Sequence, residues 1–318
     1  MANLYLTHRC ERGCPFCFAR KVLREAGNNL DEILTIDEIN TFIEHYGQSL
    51  DGLGILGGEP FLYPHLRELI HLLFKKGIFA KIFTSATNPL PEVLKELNVD
   101  EVKDKMCFVV NIGTRDTYSE NKFRNLEYFF ERYAAITTLS LTIFDLNADS
   151  TYLLDVIDKY KLNRNVRVGI ALPILNGGNQ YIPLSDYKKA GSYFMNFAEL
   201  AANRQITLSM DCGFIACMFT TEQIGRLYRL GTAINFRCET ACDVGPGLQA
   251  WNCFPLFQIG RIDALQGKDI EDLMKSLIKS TDEHLGHTCG VLPECKDCEL
   301  MKKGLCYGGC KSFKSVKK

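Results

Sequence analysis

At 318 residues with 37 Lys+Arg against 38 Asp+Glu, the chain is long enough for two domains and lacks the basic excess of a general nucleic-acid binder. A hydrophobic share of 46% excludes a disordered chain, and no apolar run approaches the roughly 18 residues of a membrane span. The opening MANLYLTHRC carries no secretory pattern. A cytoplasmic protein with neither nucleic-acid nor membrane partner is therefore expected. Its 14 cysteines should be reduced there, for metal binding, catalysis or plain burial.

In chain order, short apolar runs alternate with helical patterns. Strands are predicted at Leu4–Thr7, Leu53–Leu56, Ala80–Thr84, Cys107–Ile112, Leu139–Phe144 and Val166–Leu172. Helices are predicted at Ile36–Tyr46, Leu66–Lys76, Pro91–Leu97, Arg124–Ala135 and Tyr152–Tyr160. Thr35 and Glu38 have capping-box spacing at the start of the first helix. Six such βα units predict an α/β fold, a partial (β/α)6 barrel with its site at the C-terminal strand ends. Asp186–Ala202 and Thr221–Leu230 read as further helices and Ile206–Phe214 as a last strand. Residues 1–205 are expected to form the barrel and 206–318 a small cysteine-rich domain. From Cys238 onward the periodicity is weak, and eight of the last 81 residues are cysteine, so metal is the expected organiser.

Cys10, Cys14 and Cys17 form a C-x3-C-x2-C set directly after the first predicted strand. Three thiolates on one short loop can hold three irons of a cubane cluster and leave the fourth iron open. A zinc loop or three buried thiols would have the same spacing. A second group, Gly57-Gly58-Glu59-Pro60, ends the second strand. Two glycines let a ligand approach the backbone, their carbonyls can accept from an ammonium, and Pro60 fixes the turn.

The triplet, with Phe16 just before its last cysteine, and the Gly57–Pro60 group together resemble the radical S-adenosylmethionine (SAM) superfamily. The resemblance implies a 4Fe-4S cluster on Cys10, Cys14 and Cys17 with SAM on its open iron. Gly57, Gly58, Glu59 and Pro60 then correspond to the element that binds the amino group of SAM. It also implies Ser85, after the third strand, and Asn111, at the end of the fourth, as SAM contacts, although Ala86 departs from the usual Thr-Asn-Gly pattern. The implied chemistry is cleavage of SAM to a 5'-deoxyadenosyl radical that takes a hydrogen atom from substrate.

Cys295-x2-Cys298-x7-Cys306-x3-Cys310, with Cys238, Cys242 and Cys253 upstream, resembles the SPASM and twitch extensions that carry auxiliary 4Fe-4S clusters. By that resemblance Cys238, Cys242, Cys253 and Cys310 would hold one cluster, and Cys295, Cys298 and Cys306 part of a second. Relatives with two full clusters usually have a cysteine after the x3 pair, whereas Lys311–Lys318 follow here. The second site would then have an open iron, borrow Cys289, Cys212 or Cys217, or be absent; a zinc knot also fits these spacings. Asp211-Cys212 ends a late strand and is a candidate proton or hydrogen donor to substrate.

An auxiliary cluster suits an oxidative outcome, such as a cross-link, thioether or dehydrogenation of a ribosomally made peptide. Only nine residues precede Cys10, so a separate leader-binding protein is expected, with a flavodoxin or ferredoxin as electron donor. Radical chemistry on a small molecule, such as a sugar alcohol or amino acid, is the competing reading. A non-enzymatic iron–sulfur or zinc protein is the third.

Overall fold

The computed structural model describes residues 2–19, 32–113, 115–175, 178–238, 241–286 and 290–315. Its frame is one sheet in the order β10-β9-β8-β1-β2-β3-β4-β5-β6-β7. The strands are β1 (Ala2–Tyr5), β2 (Gly52–Leu56), β3 (Phe79–Thr84), β4 (Met106–Asn111), β5 (Thr137–Ile143), β6 (Asn165–Ile170), β7 (Thr207–Met210), β8 (Cys242–Gly245), β9 (Gln249–Trp251) and β10 (Ile262–Asp263). Strands β1 to β7 run parallel, and β8 returns to pair parallel with β1. β9 and β10 complete an antiparallel edge.

The helices are α1 (Ile36–Tyr46), α2 (Leu66–Lys76), α3 (Glu92–Glu96), α4 (Val99–Val102), α5 (Glu120–Tyr133), α6 (Tyr152–Tyr160), α7 (Tyr187–Asn203), α8 (Thr221–Arg229) and α9 (Ile270–Leu285). α1 begins in the expected capping box: the Glu38 amide donates to Thr35 Oγ1 at 3.2 Å and the Thr35 amide donates to Glu38 Oε2 at 2.8 Å. Its buried residues Ile39, Phe42, Ile43 and Tyr46 lie on one helical face.

Side chains alternate along each strand. Leu4, Leu53, Ile55, Ala80, Ile82, Phe108 and Val110 join the apolar core shared with the helices. Their neighbours Asn3, Gly54, Lys81, Phe83, Asn111 and Arg167 therefore face the concave side. The parallel order puts the C-terminal ends of β1 to β7 at one mouth, where sites of such sheets are built.

The fold class agrees with the sequence reading, and the first six strands fall where periodicity put them. Two features differ. The boundary expected at residue 205 does not divide the sheet, because β7 pairs with β6 and β8 with β1. The C-terminal region also contains a regular helix, α9, capped by Asp269 and burying Leu273, Leu277 and Leu285. Cysteine-rich flanks on both sides hid its apolar spacing.

One polar contact lies inside the sheet. Asn3 Nδ2 donates to Asp243 Oδ1 at 2.7 Å, and a Cβ at Gly54 would stand 2.0 Å from Asn3 Oδ1. Burial pushes the Asp243 carboxyl up to about 7, against the opposing effect of the Asn3 hydrogen bond. The folded chain thus holds this proton more tightly than the unfolded chain, whose Asp titrates near pH 4 (about 3.9). Its contribution to stability is greatest below that pH and declines as pH rises to about 7. Asp243→Asn, which keeps an acceptor for Asn3, is expected to raise Tm by several degrees at pH 8 and by much less at pH 5. Equal shifts at the two pH values in thermal melts would count against this account.

Candidate metal centres at the mouth of the sheet

The cysteine triplet lies where β1 ends, and the Gly57–Pro60 group lies where its neighbour β2 ends. The two are joined by backbone. The Gly58 amide donates to Thr7 O, and the Glu59 amide donates to Arg9 O, both at 2.7 Å. Such contact needs Gly58 to be glycine, since a Cβ there would stand 2.3 Å from Arg9 O and 2.9 Å from Cys10 Cβ. Cys10, Cys14 and Cys17 are half-buried, and none of the described cysteines is in a disulfide. A turn in which the Cys17 amide donates to Cys14 O at 3.2 Å brings the last two together. Burial, with Glu59 and Cys14 adding, pushes the Cys10 thiol up.

The rest of this loop is tied to the ends of the other strands. Arg12 donates to Asn111 O at the end of β4 and to Tyr118 Oη at 3.0 Å. Asn88, after β3, donates to Glu11 Oε2 at 3.1 Å. Phe16 packs on Phe144, just past β5, with ring centroids 4.8 Å apart. The Gln180 amide, from the β6–α7 connection, donates to Pro15 O at 2.9 Å. Arg12 has no carboxylate partner among the described residues, and its guanidinium is raised in pKa by nearby Cys14 in spite of its burial. Arg12 and Tyr118 were not singled out by sequence, because a lone Arg or Tyr carries no spacing signal.

Glu59 is 2% exposed, and its carboxylate is spent inside the protein. It accepts from the Phe61 amide (3.2 Å), Thr84 Oγ1 (2.5 Å), the Ser85 amide (2.9 Å) and Ser85 Oγ (2.6 Å). Glu59 thereby fixes the end of β3, and Ser85 is bonded to it. Ala86 follows at φ +52°, a left-handed conformation that ordinarily falls to glycine. The departure from the Thr-Asn-Gly pattern therefore changes the residue while the backbone keeps a glycine-like turn. The Asn111 carboxamide, half-buried at the end of β4, has no hydrogen-bond partner among the described residues.

Asp211 and Cys212 follow β7 at the same mouth. Asp211 Oδ2 is 2.7 Å from Arg167 Nη2, an ion pair on the concave face beside Phe83. Cys212 presents surface to solvent, yet its thiol is pushed well above the ordinary range by burial, Asp211, Cys310 and Cys238. Cys253 is likewise raised by burial and by Cys310, Cys238 and Cys212. Cys212, Cys238, Cys253 and Cys310 therefore lie near one another. Cys242 does not join them, which corrects the ligand set expected from the sequence. It is fully buried in β8, paired with Ala2 in the core beneath the helices, and burial together with Asp243 pushes its thiol up. In a strand, Cys242 and its neighbour Asp243 point to opposite faces. Cys295, Cys298 and Cys306 form a separate group that lines one cavity with Cys217. Cys289 lies outside the described residues.

Residues 4–140 match the profile of the Radical SAM superfamily. Curated relatives of this chain carry enzyme names. A glycyl-radical enzyme activating enzyme of Methanocaldococcus jannaschii is 39% identical over 98 residues, 30% of this chain and 36% of that protein. An S-adenosylmethionine-dependent nucleotide dehydratase of a Thermoplasmatales archaeon is 28% identical over 27% of this chain and 29% of its own length. A PqqA peptide cyclase of Ruegeria pomeroyi is 29% identical over 31% of this chain and 26% of its own. The matches thus span about a third of the curated relatives' length. The crystal structure of Streptococcus suis SuiB bound to precursor peptide SuiA superposes on 97% of this chain and 71% of that one, at TM-score 0.59 and 15% identity. The likeness in fold to SuiB therefore extends past residues 4–140 through the cysteine-rich region.

Two substitutions test the architecture of this mouth. Gly58→Ala is expected to displace Cys10 and lower the iron taken up by the triplet, with iron bound through other cysteines unchanged; equal iron on the triplet would refute the steric argument. Glu59→Gln replaces an acceptor with a second donor beside Thr84 and Ser85 and should cost about 1–3 kcal/mol in urea unfolding.

Proposed function

We propose that the chain is a radical SAM enzyme that modifies a ribosomally made peptide oxidatively, with auxiliary iron–sulfur clusters. The observation that carries this reading is the triplet loop packed directly on Gly57–Glu59, within a fold that follows SuiB over 97% of the chain. The donor set fits the groups: thiols alone, on a loop braced from five strand ends, suit a thiolate-bound cluster. Cys10, Cys14 and Cys17 would hold the 4Fe-4S cluster. Gly57, Gly58, Pro60 and Asn111 would bind SAM, with Glu59 and Ser85 holding the β3 end in place. Bound together, cluster and SAM would supply a carbon radical able to take a hydrogen atom from substrate. Cys212, Cys238, Cys253 and Cys310 would hold an auxiliary cluster, in which Cys212 is a ligand and no longer a free hydrogen donor. Arg12 clamps the triplet loop to β4, and Arg167 keeps Asp211 oriented on the concave face.

The peptide reading draws on two names: SuiB is described with its precursor peptide, and another relative is a peptide cyclase. A small polar substrate is the second reading. It is favoured by the partly open Arg167–Asp211 pair, which a nucleotide or sugar could meet, and by the nucleotide dehydratase relative.

The test is anaerobic turnover with a chemical reductant, reading 5'-deoxyadenosine by chromatography. Wild type should form it from SAM, and Cys10/Cys14/Cys17→Ala should fall to background. Product formation that survives the triple substitution would overturn the reading. Short peptides encoded beside the gene should lose two hydrogens per cross-link in mass spectra, whereas turnover of a nucleotide or sugar alone would select the second reading.

A further inference from the structure

Building on that reading, we infer that Cys217 supplies the fourth thiolate of a second auxiliary iron–sulfur site, completed by Cys295, Cys298 and Cys306. The four cysteines line a small cavity of about 40 Å³, with Ile215 and Met301 among its apolar walls and no charged side chain in its lining. A soft, uncharged shell around four thiols is the environment of a thiolate-bound cluster. The four surround a hollow and do not converge on a point. Among the described residues no three His, Cys, Asp or Glu side chains come close enough to hold a single metal ion. Zinc would need four sulfurs at about 2.3 Å from one centre. Thiols spaced around a hollow, and not gathered on one point, suit a multi-iron group better than a single ion.

The fold places Cys217 there through two close approaches. Cys217 sits in a tight turn, Ala216–Met218, between β7 and α8. On one side α7 offers Gly191, where a Cβ would stand 2.6 Å from Met218 O. On the other the C-terminal segment offers Gly309, where a Cβ would stand 3.3 Å from Ile215 Cγ2 and 2.8 Å from Val291 Cγ2. Next to it, Gly308 would clash with Gly290 Cα at 2.5 Å were it any other residue, and its amide donates to Cys306 Sγ at 3.4 Å. The Tyr307-Gly308-Gly309-Cys310 sequence thus lets the C-terminal cysteines reach the turn that carries Cys217.

A second observation points to the same place. Tyr187 Oη is buried with no hydrogen-bond partner among the described residues. Burial pushes its phenol up, and Cys310 and Cys217 add to the shift, so the hydroxyl lies near one cysteine of each auxiliary group. A buried hydroxyl without a partner is costly. Thiolate or sulfide sulfur in either site would accept its proton in a hydrogen bond.

The assignment has a topological consequence. Cys212 and Cys217 lie on one short loop after β7, so a single loop would supply one thiolate to each auxiliary site. Neither residue is in the C-terminal cysteine pattern.

The experiment measures iron, sulfide and zinc per chain, with electron paramagnetic resonance, after anaerobic reconstitution of the full chain. The background is Cys10/Cys14/Cys17→Ala, so that only auxiliary sites load. About eight irons are expected there. Adding Cys217→Ala should remove about four, or leave a three-iron centre with its oxidised paramagnetic signal. Adding Cys289→Ala should leave both iron and signal unchanged. Cys217→Ser, which restores an oxygen ligand and controls for misfolding, should regain iron with an altered signal. Unchanged iron in Cys217→Ala would overturn the assignment. So would loss in Cys289→Ala, or about one zinc released by Cys298→Ala in place of iron. Failure of the enzyme reading is seen separately, as absence of a SAM-induced change in the resonance of the triplet's cluster in chains with Cys10, Cys14 and Cys17 intact.

Discussion

The mouth of this protein depends on a place where a side chain cannot be. Gly58 brings the end of β2 onto the backbone of Thr7 to Cys10, and the short hydrogen bonds from the Gly58 and Glu59 amides set the distance between the cysteine loop and the glycine group. Neighbouring strands in a parallel sheet lie roughly 4.8 Å apart, so loops leaving β1 and β2 are already adjacent. Contact between them costs little backbone entropy beyond what the sheet has fixed. Glu59 extends the same contact to β3, and Arg12 to β4. A loop of half-buried cysteines is therefore held by its surroundings and not by regular structure of its own.

Much of this was legible from residue order. The strands β1 to β6 announced themselves as short apolar runs, α1 begins at its capping box and α2 ends at Gly77, while α6 was visible from its apolar spacing alone. The triplet and the glycine group carried fixed spacings, which is why both stood out. Arg12, Tyr118, Arg167 and Tyr187 did not, because their importance comes from what faces them across the mouth. Glu59 was visible as part of a motif, but its bonds to Thr84 and Ser85 could be known only once β2 and β3 lay side by side. Cys242 illustrates the reverse: its spacing to Cys238 looked like a ligand pair, and strand alternation turned it into the core.

The cysteine-rich region is a continuation of the sheet more than an appendage. β8 lies against β1, while Cys212 and Cys217 reach it from the far edge at β7. Thiols from both ends of the sheet thus gather beyond β7, whose outer side carries the short bridge from Ser209 to Ala233. Tyr5 at the end of β1 packs in one aromatic cluster with Trp251, Phe254 and Phe257.

That gathering bears on how the chain folds. Contacts between Cys212 and Cys310 or Cys217 and Cys306 join segments far apart in sequence, and such long closures come late. Val291, Cys306, Cys310 and Phe313 join the apolar core there, so packing holds this segment, and metal on the proposed sites would add to it and couple its docking to metal uptake. If these thiols hold the auxiliary clusters proposed above, oxidation of those clusters would loosen the last-closed part of the fold while the first six strands stay in place.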